Sequence, residues 1–206
     1  MTSTTRADDR IGKPHSIVRA ATLPATPWSN GAGTTTRVWT ASMSAWTLSI
    51  AALHEGGAPF SFFPDHDRHL MALGEHPVDL EIDGTRTRLH HTDVARFHGN
   101  AAARVFPNGA GSRALNLMTR RNVVSGSLDL HRLHGRRVLH PARLTALILL
   151  TGSLTLPDGR VTASGDTVVL GDRPITITAD RAALGRVRIT RATSASTSRQ
   201  SERKSP

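Results

Sequence analysis

The sequence predicts an all-β protein built as two β-barrels in tandem, and three observations carry that expectation. Short segments of alternating apolar and polar residues recur along the chain. No window of about 11 residues shows a helical apolar stripe free of Gly or Pro. One arrangement of strands and turns occurs twice, in the same order.

The alternation is clearest in three places. Trp46, Leu48 and Ile50 share one face of a strand, with Thr47 and Ser49 on the other. Val78, Leu80 and Ile82 alternate with Asp79 and Glu81 and run into Asp83-Gly84, a pair suited to a tight hairpin turn. Val187 and Ile189 alternate with Arg186, Arg188 and Thr190. Many short strands separated by turns make a sandwich or a barrel.

The repeat decides between one unit and two. Leu70–Gly74, Val78–Ile82, Asp83-Gly84 and Thr92-Asp93-Val94 form the first series. Leu147–Gly152, Ser153–Leu156, Asp158-Gly159 and Gly165-Asp166-Thr-Val168 form the second, about 75 residues later. The expected organisation is a first barrel over residues 15–125 and a second over 126–192. Residues 1–14 and 193–206, rich in Ser, Thr and charge, are expected to be disordered tails.

Composition narrows the function. The chain has 206 residues and no cysteine, which excludes disulfides, thiolate metal sites and a cysteine nucleophile and fits a cytoplasmic protein. Met1–Lys13 is polar, so no secretory signal is expected. The longest apolar run, Ala146–Leu150, is far shorter than the roughly 20 residues of a membrane helix. The formal charge of +10 raises nucleic acid as a partner, but the arginines are scattered and aromatics make up only 4% of the chain. That leaves few surfaces for stacking bases, so nucleic acid is not expected as the main partner. A homodimer is compatible with the sequence.

Three blocks resemble the HutD/Ves family of bicupins. They are Trp28-Ser-Asn30-Gly31-Ala-Gly33-Thr34-Thr35; Trp46–Ala51 running on through Gly57–Pro64 to Asp67-Arg68; and Asn116-Leu-Met118-Thr-Arg120. The Gly165-Asp166-x-Val168 and Thr92-Asp93-Val94 steps also look like strand beginnings of cupin barrels. The resemblance covers about Trp28 to Thr190 and implies a cytoplasmic protein associated with histidine utilisation or stress response that binds a small polar or acidic metabolite. The chain departs from the family pattern at Arg37, where an acidic residue is usual, and at Ala114, where an aspartate is usual.

The resemblance also implies where a cupin metal would sit, and the residues there cannot bind one. The His-x-His positions fall near Phe60 and Phe62, and the third histidine falls near Ala102. In the second unit the corresponding position is near Thr176, and no histidine follows His140. The pairs His66/His69, His90/His91 and His131/His134 are expected at the surface. No metal, other cofactor or catalytic residue is expected. There is no Gly-x-Ser-x-Gly elbow and no phosphate loop, since Gly31-Ala-Gly33 lacks a following Gly-Lys.

The candidate ligand-binding residues are Asn30, Gly31, Gly33, Thr34, Thr35, Arg68, Asn116 and Arg120. Glycines permit close backbone approach, and Asn and Thr supply hydrogen bonds. An arginine holds a carboxylate with two parallel bonds. Trp28, Trp46 and Phe60 are expected to pack the barrel, and Arg37 to matter less than Arg68 if it lies outside the pocket. The alternative to a binding protein is a metal-free or unusually ligated cupin enzyme, an isomerase or hydrolase acting on a related metabolite.

Overall fold

Alternation at period two builds the architecture, because neighbouring residues of a strand must find two different environments. The computed structural model describes residues 14–142 and 145–192. Apart from Pro14, the two expected tails lie outside the described residues. The strands are β1 (Ser16–Val18), β2 (Ala25–Pro27), β3 (Gly33–Thr40), β4 (Trp46–Leu53), β5 (Ala58–Pro59), β6 (His66–Leu73), β7 (Val78–Ile82) and β8 (Thr85–Leu89). They continue with β9 (Val94–His98), β10 (Ala103–Pro107), β11 (Arg113–Arg120), β12 (Val124–Leu139), β13 (Ala146–Thr155), β14 (Thr167–Val169) and β15 (Ile175–Arg191). Single 3-10 turns at Ala20–Thr22 and Ser42–Ser44 are the only helical segments among the described residues. No described helix is long and apolar enough to cross a membrane.

The strands form three sheets, ordered β2-β3-β4-β11-β6-β9, β5-β10-β7-β8 and β1-β14-β13-β15-β12. The six-stranded sheet is central. One of its faces contributes Leu70, Ala72, Ala51 and Ala114 to a core shared with Val78, Leu80 and Val105 of the four-stranded sheet. The opposite face contributes Leu48, Met71, Leu115 and Leu117 to a core shared with Leu128, Ala146, Ile148 and Val187 of the five-stranded sheet. Gly126 and Gly185 permit that second contact: a Cβ on Gly126 would stand 2.6 Å from Thr119 Cγ2, and one on Gly185 2.8 Å from Leu115 Cδ2. A third core, with Leu147, Leu149, Leu154 and Ile177, fills the far side of the five-stranded sheet.

Closed barrels were expected, but hydrogen bonding leaves three open sheets. Facing layers are joined by side-chain packing instead of a continuous ladder. The expected alternations hold: Val78 and Leu80 are buried, while Asp79 and Glu81 pair outside with Arg88 and Arg86. Asp83 and Gly84 both take positive φ, 47° and 81°, the primed hairpin geometry that matches strand twist.

The two repeated series share a hydrogen-bond pattern. Ala72 N donates to Asp93 O at 3.0 Å and Thr92 N to Ala72 O at 2.8 Å; Leu149 N donates to Asp166 O at 2.9 Å and Gly165 N to Leu149 O at 2.8 Å. Each aspartate also accepts from the backbone N–H three residues earlier, His90 N and Ala163 N, both at 2.8 Å. Thr92 and Gly165 occupy the same left-handed position, with φ of 71° and 89°.

Strand β1 crosses the expected division. Ser16–Val18 was assigned with residues 15–125, yet it hydrogen-bonds antiparallel to Thr167–Val169 at the edge of the five-stranded sheet. Its two apolar residues pack on opposite faces of that sheet, Val18 with the core beneath the central sheet and Ile17 with the far core. Arg19, just beyond it, pairs with the buried Asp166 and donates to Val161 O at 2.9 Å. Replacing Arg19 with Ala strands part of that buried carboxylate's bonding, so urea denaturation is expected to show a loss of about 1–3 kcal/mol. A loss below about 0.5 kcal/mol would show that the clasp is only a surface pair.

Candidate functional site

A cavity of about 560 Å³ opens at one end of the space between the six-stranded and four-stranded sheets. That is the size range of small-molecule sites. Its wall is the inward face of the central strands: Thr35 and Arg37 on β3, Thr47 and Ser49 on β4, Asn116 and Met118 on β11, and Arg68 on β6. Register brings them together. Arg37 lies opposite Ser49 and Ser49 opposite Asn116, while Met118 lies opposite both Thr47 and Arg68. Deeper rows of the same face carry Ala51, Ala72 and Ala114, small residues that continue into the apolar core. Trp28, Asn30, Phe60 and Phe63 come from loops and complete the mouth.

Arg68 is the group that sets the chemistry. Its side chain is buried, with the residue only 5% exposed, and no described carboxylate forms an ion pair with it. The guanidinium lies 4.6 Å from the Phe60 ring centre, 5.6 Å from Phe97 and 5.8 Å from Phe63. Its one polar contact among the described residues is a weak one, Nη2 to Met118 Sδ at 3.8 Å, and Nε has no partner. Burial alone pulls the arginine down to about 10. Burial disfavours a cation held this way, and the aromatic faces oppose that effect. Beside it, Asn116 Oδ1 is also buried without a partner. No lining residue is Asp or Glu, so the cavity is electropositive.

Of the eight expected binding residues, Asn30, Thr35, Arg68 and Asn116 line this one cavity. Asn30 is partly engaged in its own turn, accepting from Ala32 N at 3.1 Å, and Thr35 Oγ1 accepts from Trp28 Nε1 at 2.8 Å. The other four do not line it. Thr34 alternates to the opposite face of β3 from Thr35. Gly31, at φ 70°, shapes the β2–β3 hairpin loop. Gly33 serves packing, because a Cβ there would meet Ala52 O at 2.5 Å and the Trp28 ring at 3.2 Å. Arg120 stands exposed at the end of β11, opposite His66.

Sequence reasoning missed Thr47, Ser49 and Arg37. Small polar residues alternating with apolar ones read equally well as a solvent face. Arg37 enters the cavity although it is exposed, and a bulge after it, between Arg37 and Trp39, lets Val38 and Trp39 both join the opposite core. Phe60 and Trp28 do more than pack, since both also face the cavity; Trp46 is buried in the core behind the sheet.

The histidines lie elsewhere. His69 is buried on the face of β6 opposite Arg68, its Nδ1 unpartnered, and burial with the nearby Arg96 holds its pKa below the usual range. That corrects the expectation of a surface residue. Among the described residues no group of three or more His, Asp or Glu side chains is placed to hold a metal ion. Phe60, at the first expected ligand position, is occupied with Arg68, and Phe62 is exposed.

Among the described residues, three sheets without an α-helix, with a cavity between two of them, make an all-β protein of cupin-like fold. A cupin 2 conserved barrel domain protein from Leptotrichia buccalis shares it, with a TM-score of 0.58 at 8% identity over 89% of this chain and 100% of that one. The chain belongs to the HutD family, whose model matches residues 20–189. A conserved protein of unknown function from Pseudomonas aeruginosa PAO1, PA5104, superposes with a TM-score of 0.74 at 24% identity, over 87% of this chain and 100% of that one. HutD from Pseudomonas fluorescens SBW25 gives 0.71 at 22% identity, with the same coverage. An uncharacterised 21.2 kDa protein in the hutC 3′ region of Pseudomonas putida is 32% identical over 108 residues, which span 50% of this chain and only 56% of that protein.

The cost of holding Arg68 is measurable. In Arg68→Met the neutral side chain fills similar volume without desolvating a charge. The ligand-free variant is expected to match the parent or exceed it by up to about 3 kcal/mol in urea denaturation at pH 7. A loss above about 1 kcal/mol would show that the Phe60 and Phe97 contacts outweigh the burial of charge.

Proposed function

We propose that this protein is a non-enzymatic bicupin that binds a small acidic metabolite, its carboxylate held by Arg68, in the cavity of the first of two cupin-like units. The observation that carries this reading is the buried, unpaired guanidinium in a cavity lined by no acidic residue. Buried charges are ordinarily paired, and an anion seated here supplies the missing partner. The planar fork takes a carboxylate through two hydrogen bonds, with Asn116 able to turn its amide to a further oxygen. Phe60, Phe63 and Trp28 offer apolar faces to the remainder of the ligand.

Binding is favoured over turnover because no lining residue is His, Cys, Asp, Glu or Lys. The cavity therefore lacks the side chains that ordinarily act as general base or strong nucleophile near neutral pH. The two-unit reading draws support from the matched bonding around Asp93 and Asp166. A link to histidine utilisation is supported by family membership and by the relative in the hutC 3′ region. A cytoplasmic sensor or sequestering role fits both, and a chain without cysteine suits that compartment.

A thermal-shift screen of small carboxylic acids, intermediates of histidine breakdown among them, tests this reading, since a ligand of the native state raises the melting point. Calorimetry with an acid so found is expected to show Arg68→Ala binding at least about tenfold more weakly, a loss of about 1.4 kcal/mol or more. Asn116→Ala is expected to weaken binding as well. Unchanged affinity in both variants would remove the ligand from this cavity.

A further inference from the structure

The cavity holds a second arginine whose role the carboxylate clasp leaves open. Arg37 lines the same wall as Arg68 and, among the described residues, has neither an ion-pair nor a hydrogen-bond partner. The sheet order β3-β4-β11-β6 sets the two arginine backbones three strand spacings apart and two residues out of line, about 16 Å on the diagonal. Between them lie Ser49 and Asn116, in register with Arg37, and Thr47 and Met118, in register with Arg68, all cavity-lining and uncharged. Alternation from Thr35 puts Arg37 on the cavity face, and the bulge after it lets Val38 and Trp39 both pack behind the sheet.

The two cations differ in setting. Arg68 is buried at the aromatic cradle, whereas Arg37 is exposed at the opposite side of the mouth. With no acidic residue in the lining, a ligand with one negative group leaves a net positive charge in the cavity. We infer that the cavity selects ligands with two anionic groups, one carboxylate on Arg68 and a second on Arg37, across the neutral stretch of Thr47, Ser49, Asn116 and Met118. This rests on the reading of Arg68 as a carboxylate clasp and adds the ligand class: a short dicarboxylate in preference to the corresponding monocarboxylate.

Because Arg37 is exposed, its contribution is partly screened and smaller than that of Arg68. The test compares straight-chain monoacids with diacids of equal carbon number, from propionate and malonate to hexanoate and adipate, by calorimetry at low ionic strength. At least one diacid is expected to bind about threefold to tenfold more tightly than its monoacid. Arg37→Ala is expected to bring that ratio to about one, Arg37→Glu to invert it, and added salt to shrink it in the parent protein. Arg68→Ala is expected to weaken monoacids and diacids together. Equal binding of every pair, or a preference that survives in Arg37→Ala, overturns this inference and leaves the Arg68 reading standing. Failure of all these acids to bind the parent protein overturns both.

Discussion

Burial of the central sheet on both faces is the constraint on which the rest depends. Strands β4, β6 and β11 lie inside their sheet and are covered on one side by the five-stranded sheet and on the other by the four-stranded sheet and the cavity. Each residue on them must therefore suit one of two interiors. Leu48, Met71, Leu115 and Leu117 fill the dry one, while Ser49, Arg68 and Asn116 face the one that opens into the cavity. A shift of one residue in any register would exchange the two sets, placing an arginine in an apolar core and leucines in the cavity.

That same burial gives the site its character. A guanidinium on a flexible surface would be hydrated and weakly selective. Fixed on an inner strand, flanked by Phe60 and Phe97 and shielded from water, it would, under the proposed reading, be organised in advance for an anion. The fold sustains this because large apolar areas on both faces offset one unfavourable charge. Stability and binding thus pull Arg68 in opposite directions, a trade expected of functional positions.

The two repeated series solve the same local problem twice: an aspartate ties back to the chain three residues earlier, next to a left-handed residue, and receives a strand N–H on its carbonyl. They differ in what surrounds them. The first series borders the cavity-bearing layers, whereas Asp166 is buried under Arg19 and β1, a strand from the far end of the sequence. The crossing of β1 ties the beginning of the described chain to its last sheet.

Much of this was legible in the residues themselves. Period-two alternation identified the strands around Leu48, Leu80 and Val187, and Asp83-Gly84 marked its hairpin, because side-chain direction and turn torsions are local properties. The blocks containing Asn30, Thr35, Arg68 and Asn116 meet along one cavity. What lay beyond the sequence was which polar face meets solvent and which meets a cavity, since Thr47 and Ser49 read alike in either setting. The bulge that sends both Val38 and Trp39 to one core, the close approach that assigns Gly33 to packing, and the partner of β1 arise from contacts between distant strands. Local preference names the two faces of a strand; only the layers packed against it decide which face is interior, and what that interior is for.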